Sequence, residues 1–111
     1  MGVQFDSGSF TATSGGYPTK LTEFTLDRIV YVVIGLQVDE NDGSFLLYLI
    51  QPQPDGSTVQ VQGSAPIDAS GVSIPIRFGA VPAGYYQIVV MTLGDPMTVA
   101  GSFTASWENI P

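Results

Sequence analysis

Few side chains in this 111-residue sequence could carry out catalysis. It contains no histidine and no cysteine, and its cationic side chains are Lys20, Arg28 and Arg77. A serine nucleophile usually needs a histidine base, and a thiolate metal site needs cysteine, so the sequence excludes both. The nucleophile motif G-x-S-x-G is also missing. We therefore predict that the protein is not an enzyme and that it needs no cofactor.

Ten acidic side chains remain as candidates for acid–base or metal chemistry. Several aspartates stand beside Gly or Pro, where Asp commonly makes local turn hydrogen bonds. Asp39, Asn41 and Asp42 lie in one short run that ends in Gly43, and their oxygens are of the kind that Ca²⁺ prefers. The run resembles the start of an EF-hand loop without its closing glutamate. These three residues are candidate calcium ligands, and the alternative, which we favour, is a solvated acidic hairpin.

Aromatic side chains form a second class of candidates. Tyr31, Tyr48, Tyr85 and Tyr86 are suited to contact a partner protein or, with the other aromatic residues, to offer stacking platforms for a sugar. Adjacent residues of a strand point to opposite faces, so we expect either Tyr85 or Tyr86 to point outward. We take the four tyrosines as candidate interface residues.

The elements that would position these residues are strands. Segments rich in β-branched and aromatic residues, many with alternating polarity, occur at residues 9–14, 20–26, 28–38, 44–51, 58–62, 72–78, 85–92 and 102–107. Turns rich in Gly, Pro and Asp separate several of them, at residues 15–18, 39–43, 54–56, 82–84 and 94–96. This pattern predicts one all-β domain over residues 1–111. We expect an antiparallel two-sheet sandwich of about eight strands, with jelly-roll or immunoglobulin-like topology.

A core can be predicted from the alternation of the strands. Its expected members are apolar residues that share one face of each strand, namely Phe24, Ile34, Leu47, Leu49, Ile76, Ile88, Val90 and Phe103. Residues 29–36 and 45–50 are apolar at nearly every position, which would make both faces of these strands apolar. Either a loop of the chain covers the second face or another subunit does. We therefore expect a protein partner, which would be a second copy of the chain or a virion protein.

A five-residue pattern occurs twice, near the two ends of the sequence. Residues 8–12 and residues 101–105 both read Gly-Ser-Phe-Thr-Ala. One interpretation of the repeat is two strands in equivalent environments that are neighbours in one sheet, and the alternative is a chance match between strands of common composition.

The composition limits the kinds of partner. The net charge is −7, and charged residues make up 12% of the chain against 44% hydrophobic residues. An acidic chain repels nucleic acid, so we expect no nucleic-acid binding. The longest apolar run is far shorter than the ~20 residues that cross a bilayer, so we expect no membrane insertion. Much of the surface must consist of Ser, Thr, Gln and Gly, which suits virion and extracellular proteins.

Residues 24–107 resemble the bacterial pre-peptidase C-terminal domain. The similarity rests on Phe24-Thr25-Leu26, Leu47-Tyr48-Leu49, Pro54-Asp55-Gly56, residues 83–90 and Gly101-Ser102-Phe103-Thr104. The resemblance implies a secreted, jelly-roll-like sandwich with an accessory function.

The sequence favours a non-catalytic structural or binding protein. Our first expectation is an auxiliary virion component, such as a phage capsid decoration protein, located in the virion. The alternative is an accessory domain of a larger secreted bacterial protein, which would bind polysaccharide or protein outside the cell.

Overall fold

The computed structural model describes residues 2–13, 18–94 and 97–111, and these residues form strands and connecting segments without a helix. Parts of the turns predicted at residues 15–18 and 94–96, and residue 14 of the first predicted strand, lie outside the described residues. The strands are β1 (Gly2–Thr13), β2 (Thr19–Leu26), β3 (Val30–Asn41), β4 (Phe45–Pro52), β5 (Thr58–Gly63), β6 (Val72–Val81), β7 (Gly84–Thr92) and β8 (Thr98–Asn109).

The strands form two antiparallel sheets of four that pack as a sandwich. The first sheet has the order β1-β8-β3-β6, and the second sheet has the order β2-β7-β4-β5. The strands therefore pair in a nested order: β1 pairs with β8, β2 with β7, β3 with β6 and β4 with β5. This is a jelly-roll arrangement, so the structure resolves the choice between jelly-roll and immunoglobulin-like topology.

The core lies between the two sheets. Along β3, every second residue from Val30 to Val38 is at most 1% exposed, while Tyr31 and Val33 point to the outer face. Seven of the eight predicted core residues are buried, and Phe24 is half-buried. Phe24 lies on β2 at the edge of the second sheet, where its ring contacts Phe5 and Tyr86 at centroid distances of 5.0 and 5.9 Å.

Polar side chains join the two sheets along both open sides of the sandwich. On one side, the Gln62 amide of β5 donates to the Gly79 carbonyl (2.6 Å) and accepts from the Gly79 N–H (3.1 Å) on β6. On the other side, the Thr22 hydroxyl of β2 donates to the Asp6 carboxylate of β1 at 2.6 Å. Thr22 is 3% exposed, so this hydrogen bond satisfies a buried hydroxyl.

The repeated Gly-Ser-Phe-Thr-Ala pattern lies on β1 and β8, which are neighbours in the first sheet, the first of the two interpretations of the repeat. Ser9 pairs with Ser102 at the centre, and Gly8 pairs with Phe103. The Phe103 ring lies over Gly8, where an added Cβ would be 3.4 Å from the ring. Glycine thus leaves space for the aromatic ring of the neighbouring strand.

Candidate interaction surface

The three candidate calcium ligands each take part in a separate hydrogen bond. The Asp42 carboxylate accepts a hydrogen bond from the Thr98 N–H at 2.7 Å, which ties the start of β8 to the β3–β4 turn. The Asn41 amide donates to the carbonyls of Ile67 (3.3 Å) and Ala69 (3.0 Å). Asp39 accepts a longer hydrogen bond of 3.4 Å from Gln37. Among the described residues, no three acidic side chains gather in a way that could hold a metal ion.

The four candidate tyrosines are distributed over three environments. Tyr31 lies on the outer face of the first sheet, and Tyr48 and Tyr85 lie on the outer face of the second sheet. Tyr86 points between the sheets, is 3% exposed and donates its hydroxyl to the Pro82 carbonyl at 2.8 Å. Burial raises the pKa of Tyr86 above its ordinary value of 10.0. Tyr86 is therefore a core residue, and Tyr85 is the outward member of the pair.

Polar groups on the outer face of the second sheet are largely engaged with one another. The Tyr85 hydroxyl donates a short hydrogen bond to the Glu23 carboxylate, and the Lys20 ammonium lies 3.2 Å from the same carboxylate. The Tyr85 hydroxyl and, after it, Lys20 hold the pKa of Glu23 below its ordinary value of 4.5. The Gln87 amide also donates to Tyr85, at 3.2 Å.

Apolar side chains on the same face shield one another within the chain. Leu46 and Val89 point outward from β4 and β7, yet they are only 9% and 5% exposed. The Tyr48 ring lies against Gly63 of the neighbouring strand β5, where an added Cβ would be 2.9 Å from the ring. Side chains of the same chain therefore largely cover the outward apolar residues of the segment 45–50.

The outer face of the first sheet has a different character, because small hydroxyl side chains dominate it. We call it the hydroxyl face and define it by the outward residues of β1, β8, β3 and β6, which include Ser7, Ser9, Thr11, Ser102, Thr104, Ser106, Gln37 and Ser73. Gly35 occupies the centre of β3 and leaves a shallow hollow of about 380 Å³, bordered by Gln37, Ser73, Pro75, Ser102 and Thr104. The Ser73 hydroxyl donates a short hydrogen bond to the side-chain oxygen Oε1 of Gln37.

Charges are confined to the two ends of the hydroxyl face. At the end where β3 begins, the Arg77 guanidinium lies over the Tyr31 ring, 3.8 Å from its centroid, and Glu108 pairs with Tyr31 in the sheet. At the other end, Asp39 and Glu40 are exposed in a bulge where β3 shifts register against β8. One end of the face therefore carries Arg77 and Glu108, the other end carries Asp39 and Glu40, and the centre is uncharged.

Sequence reasoning identified Tyr31 but missed the hydroxyl face as a unit. A strand pattern does not state which strands are neighbours, and this face combines outward residues from both ends of the chain. The available signal was the repeated Gly-Ser-Phe-Thr-Ala pattern, which places serine and threonine on the outward face of β1 and β8 alike.

Comparison with known proteins supports the fold. No protein-family model matches the chain, and no curated protein sequence matches it. Among solved structures, the chain is similar to a protein from Bacillus endospore appendages, which are described as a novel family of disulfide-linked pili. The TM-score is 0.55 with 15% sequence identity, over 98% of this chain and 89% of that chain. At this identity the similarity shows a shared fold. Within the described residues, no helix is long and apolar enough to cross a membrane.

Proposed function

We propose that this protein is a non-catalytic structural subunit that assembles with copies of itself into a structure on the outside of a cell or virion. The observation that carries the proposal is the broad hydroxyl face with its uncharged centre, since a surface without converging acid–base groups is suited to packing rather than to catalysis. The fold that the chain shares with a pilus protein supports the same function.

The chemistry of the assembly must differ from that of the structural neighbour. The neighbour belongs to pili described as disulfide-linked, whereas these 111 residues contain no cysteine. Contacts made by this chain therefore depend on surface complementarity and on the polar groups of its faces.

Capsid decoration and a surface appendage are the two specific forms of this function. The neutral, polar composition favours a virion component, and the likeness to an appendage protein favours a filament. A decoration protein needs a separate shell to form an extended structure, whereas an appendage subunit polymerises alone. Long filaments in negative-stain electron microscopy of the concentrated protein would favour the appendage, and small closed oligomers would favour decoration.

Polysaccharide binding by an accessory domain is less well supported by the geometry. The outward tyrosines lie on opposite sides of the sandwich, with Tyr31 on the first sheet and Tyr48 and Tyr85 on the second. The three tyrosines therefore do not combine into one stacking platform.

The self-assembly proposal is tested by sedimentation velocity over a broad range of protein concentration. We expect the average sedimentation coefficient to rise with concentration as oligomers form. A protein that stays monomeric at the highest accessible concentration would contradict the proposal.

A further inference from the structure

We propose that the hydroxyl face is an interface between two copies of this chain. The copies pack face to face and antiparallel about a two-fold axis that runs across the strands near Leu36, so that Arg77 of each copy meets Asp39 of the other. This inference rests on the proposed function and deepens it, because it names the surface and the relative orientation of the copies.

Charge is the first argument for this orientation. Lys20 and Arg28 have carboxylate partners in Glu23 and Asp27, both at 3.2 Å, whereas Arg77 has no carboxylate partner among the described residues. Asp39 is exposed and receives only the long hydrogen bond from Gln37. Chains with a net charge of −7 repel one another unless their contact surface is neutral or complementary. An antiparallel arrangement places Arg77 of each copy over the exposed Asp39 of the other.

Shape is the second argument. Arg77 pairs with Val33, so the midpoint between Arg77 and Asp39 along β3 lies at Leu36. A two-fold axis at that level places Gly35 of one copy opposite Gln37 of the second copy. The hollow beside Gly35 then faces the Gln37 side chain of the second copy, and the same contact forms a second time by symmetry.

The size of the face is sufficient for a stable contact. Four strands about 4.8 Å apart and roughly 36 Å long give an area of about 700 Å², close to the ~800 Å² that each partner buries in a standard interface. The uncharged centre also fits, because charged residues are depleted at the centre of protein interfaces.

The outer face of the second sheet is less suited to the same role. Its Lys20, Glu23 and Tyr85 already satisfy one another, and Leu46 and Val89 are already shielded within the chain. A partner on that face would gain little apolar burial and would have to compete with existing hydrogen bonds.

A charge-reversal cycle tests the proposed pairing. Arg77→Glu and Asp39→Arg should each weaken dimerisation by about tenfold or more, measured by sedimentation velocity, because each change creates two like-charge contacts. The double variant should recover most of the affinity of the original protein. Lys20→Glu combined with Glu23→Lys, on the other face, is the matched control and should leave dimerisation unchanged. Melting curves of all variants establish that they remain folded.

Chemical crosslinking gives a second, independent measurement. Because the chain has no cysteine, Ser102→Cys supplies a single thiol near the proposed axis. A short bifunctional maleimide should join two copies of this variant. Thr25→Cys places the thiol at an exposed position on the second sheet and should give no crosslinked dimer.

The outcomes separate the interface from the proposed function. Assembly that is unaffected by the charge reversals, with crosslinking through position 25 rather than 102, would overturn the interface and leave the structural function in place. Failure of the double variant to recover affinity would overturn the Arg77–Asp39 pairing and therefore the proposed orientation. A wild-type protein that is monomeric throughout would overturn both proposals.

Discussion

Gly101 of β8 lies so close to the backbone of Gln37 that any side chain at this position would force the backbone to move. A Cβ atom built on Gly101 would overlap the Gln37 carbonyl oxygen and would lie 3.0 Å from the carbonyl carbon. The contact occurs where β3 and β8 cross closely, directly beside the bulge between Val38 and Glu40. The glycine therefore permits the close approach of β3 and β8 beside this bulge.

The first prediction follows from this contact. Gly101→Ala should destabilise the protein by about 1–3 kcal/mol or more, because backbone atoms must move to accommodate the methyl group. Gly79→Ala is the matched control, since a Cβ at Gly79 meets nothing within 4 Å. Its free energy of unfolding should stay within about 1 kcal/mol of the original. Chemical denaturation measures both, and equal effects of the two changes would contradict the steric explanation.

The second prediction concerns the register of β4. Leu49 is 0% exposed and points between the sheets, so Leu49→Ala should cost about 2–5 kcal/mol through lost burial and the resulting cavity. Leu93 is 51% exposed, and Leu93→Ala should change the free energy of unfolding by less than about 0.5 kcal/mol. A loss below that value for Leu49→Ala would mean that the strand presents its other face to the core.

The sequence predicted all eight strands because β-branched residues, alternation and turn residues all indicate the same structure. The ends of the strands were predicted less well. β1 begins at Gly2 rather than near Ser9, since the bulge between Gln4 and Asp6 interrupts the alternation that would have revealed it. β8 is likewise longer at both ends than the predicted 102–107.

The candidate site was less predictable, because it depends on strand order. Alternation separates Arg77 from the apolar residues of its strand, but it leaves the direction of Tyr31 open and does not state that β3 and β6 are neighbours. It also does not show that Leu46 and Val89, outward in register, are shielded by the side chains around them. Of the two alternatives for the second apolar face of residues 45–50, cover within the chain is the one observed, and neighbouring side chains rather than a loop provide it.

The third prediction concerns the titration of Glu23. Its pKa is lowered mainly by the Tyr85 hydroxyl and further by Lys20. Because the folded-state pKa lies below the ordinary value of 4.5, the stabilisation is complete above pH 4.5 and is lost as the pH falls through the folded-state pKa. Tyr85→Phe should raise the pKa of Glu23, measured by NMR of its carboxyl carbon. Asp55, whose pKa is lowered by Ser57, is the internal control and should titrate as before. An unchanged Glu23 titration would show that Tyr85 does not donate to it.

The fourth prediction separates the structural role of Asp42 from metal binding. The Asp42 carboxylate receives the Thr98 N–H, so Asp42→Ala should lower the free energy of unfolding by about 1–2 kcal/mol. We expect the loss to be the same with calcium and with a chelator, and the melting temperature of the original protein to be insensitive to chelation. A melting temperature that falls on chelation, with the sensitivity removed by combining Asp39→Ala and Asp42→Ala, would support the calcium site instead.

The last prediction concerns Tyr31 and which face mediates assembly. Tyr31→Asp places a carboxylate next to Arg77, which now lies over the Tyr31 ring, and so offers that guanidinium a partner within its own chain. The fold should survive, because Tyr31 points outward from β3. The assembly should weaken, because Arg77 is no longer available to Asp39 of the second copy.

Tyr85→Asp is the control on the second sheet, where Tyr85 is 39% exposed. Sedimentation velocity should show smaller species for Tyr31→Asp alone. The reverse result, with dissociation by Tyr85→Asp and none by Tyr31→Asp, would assign the interface to the second sheet.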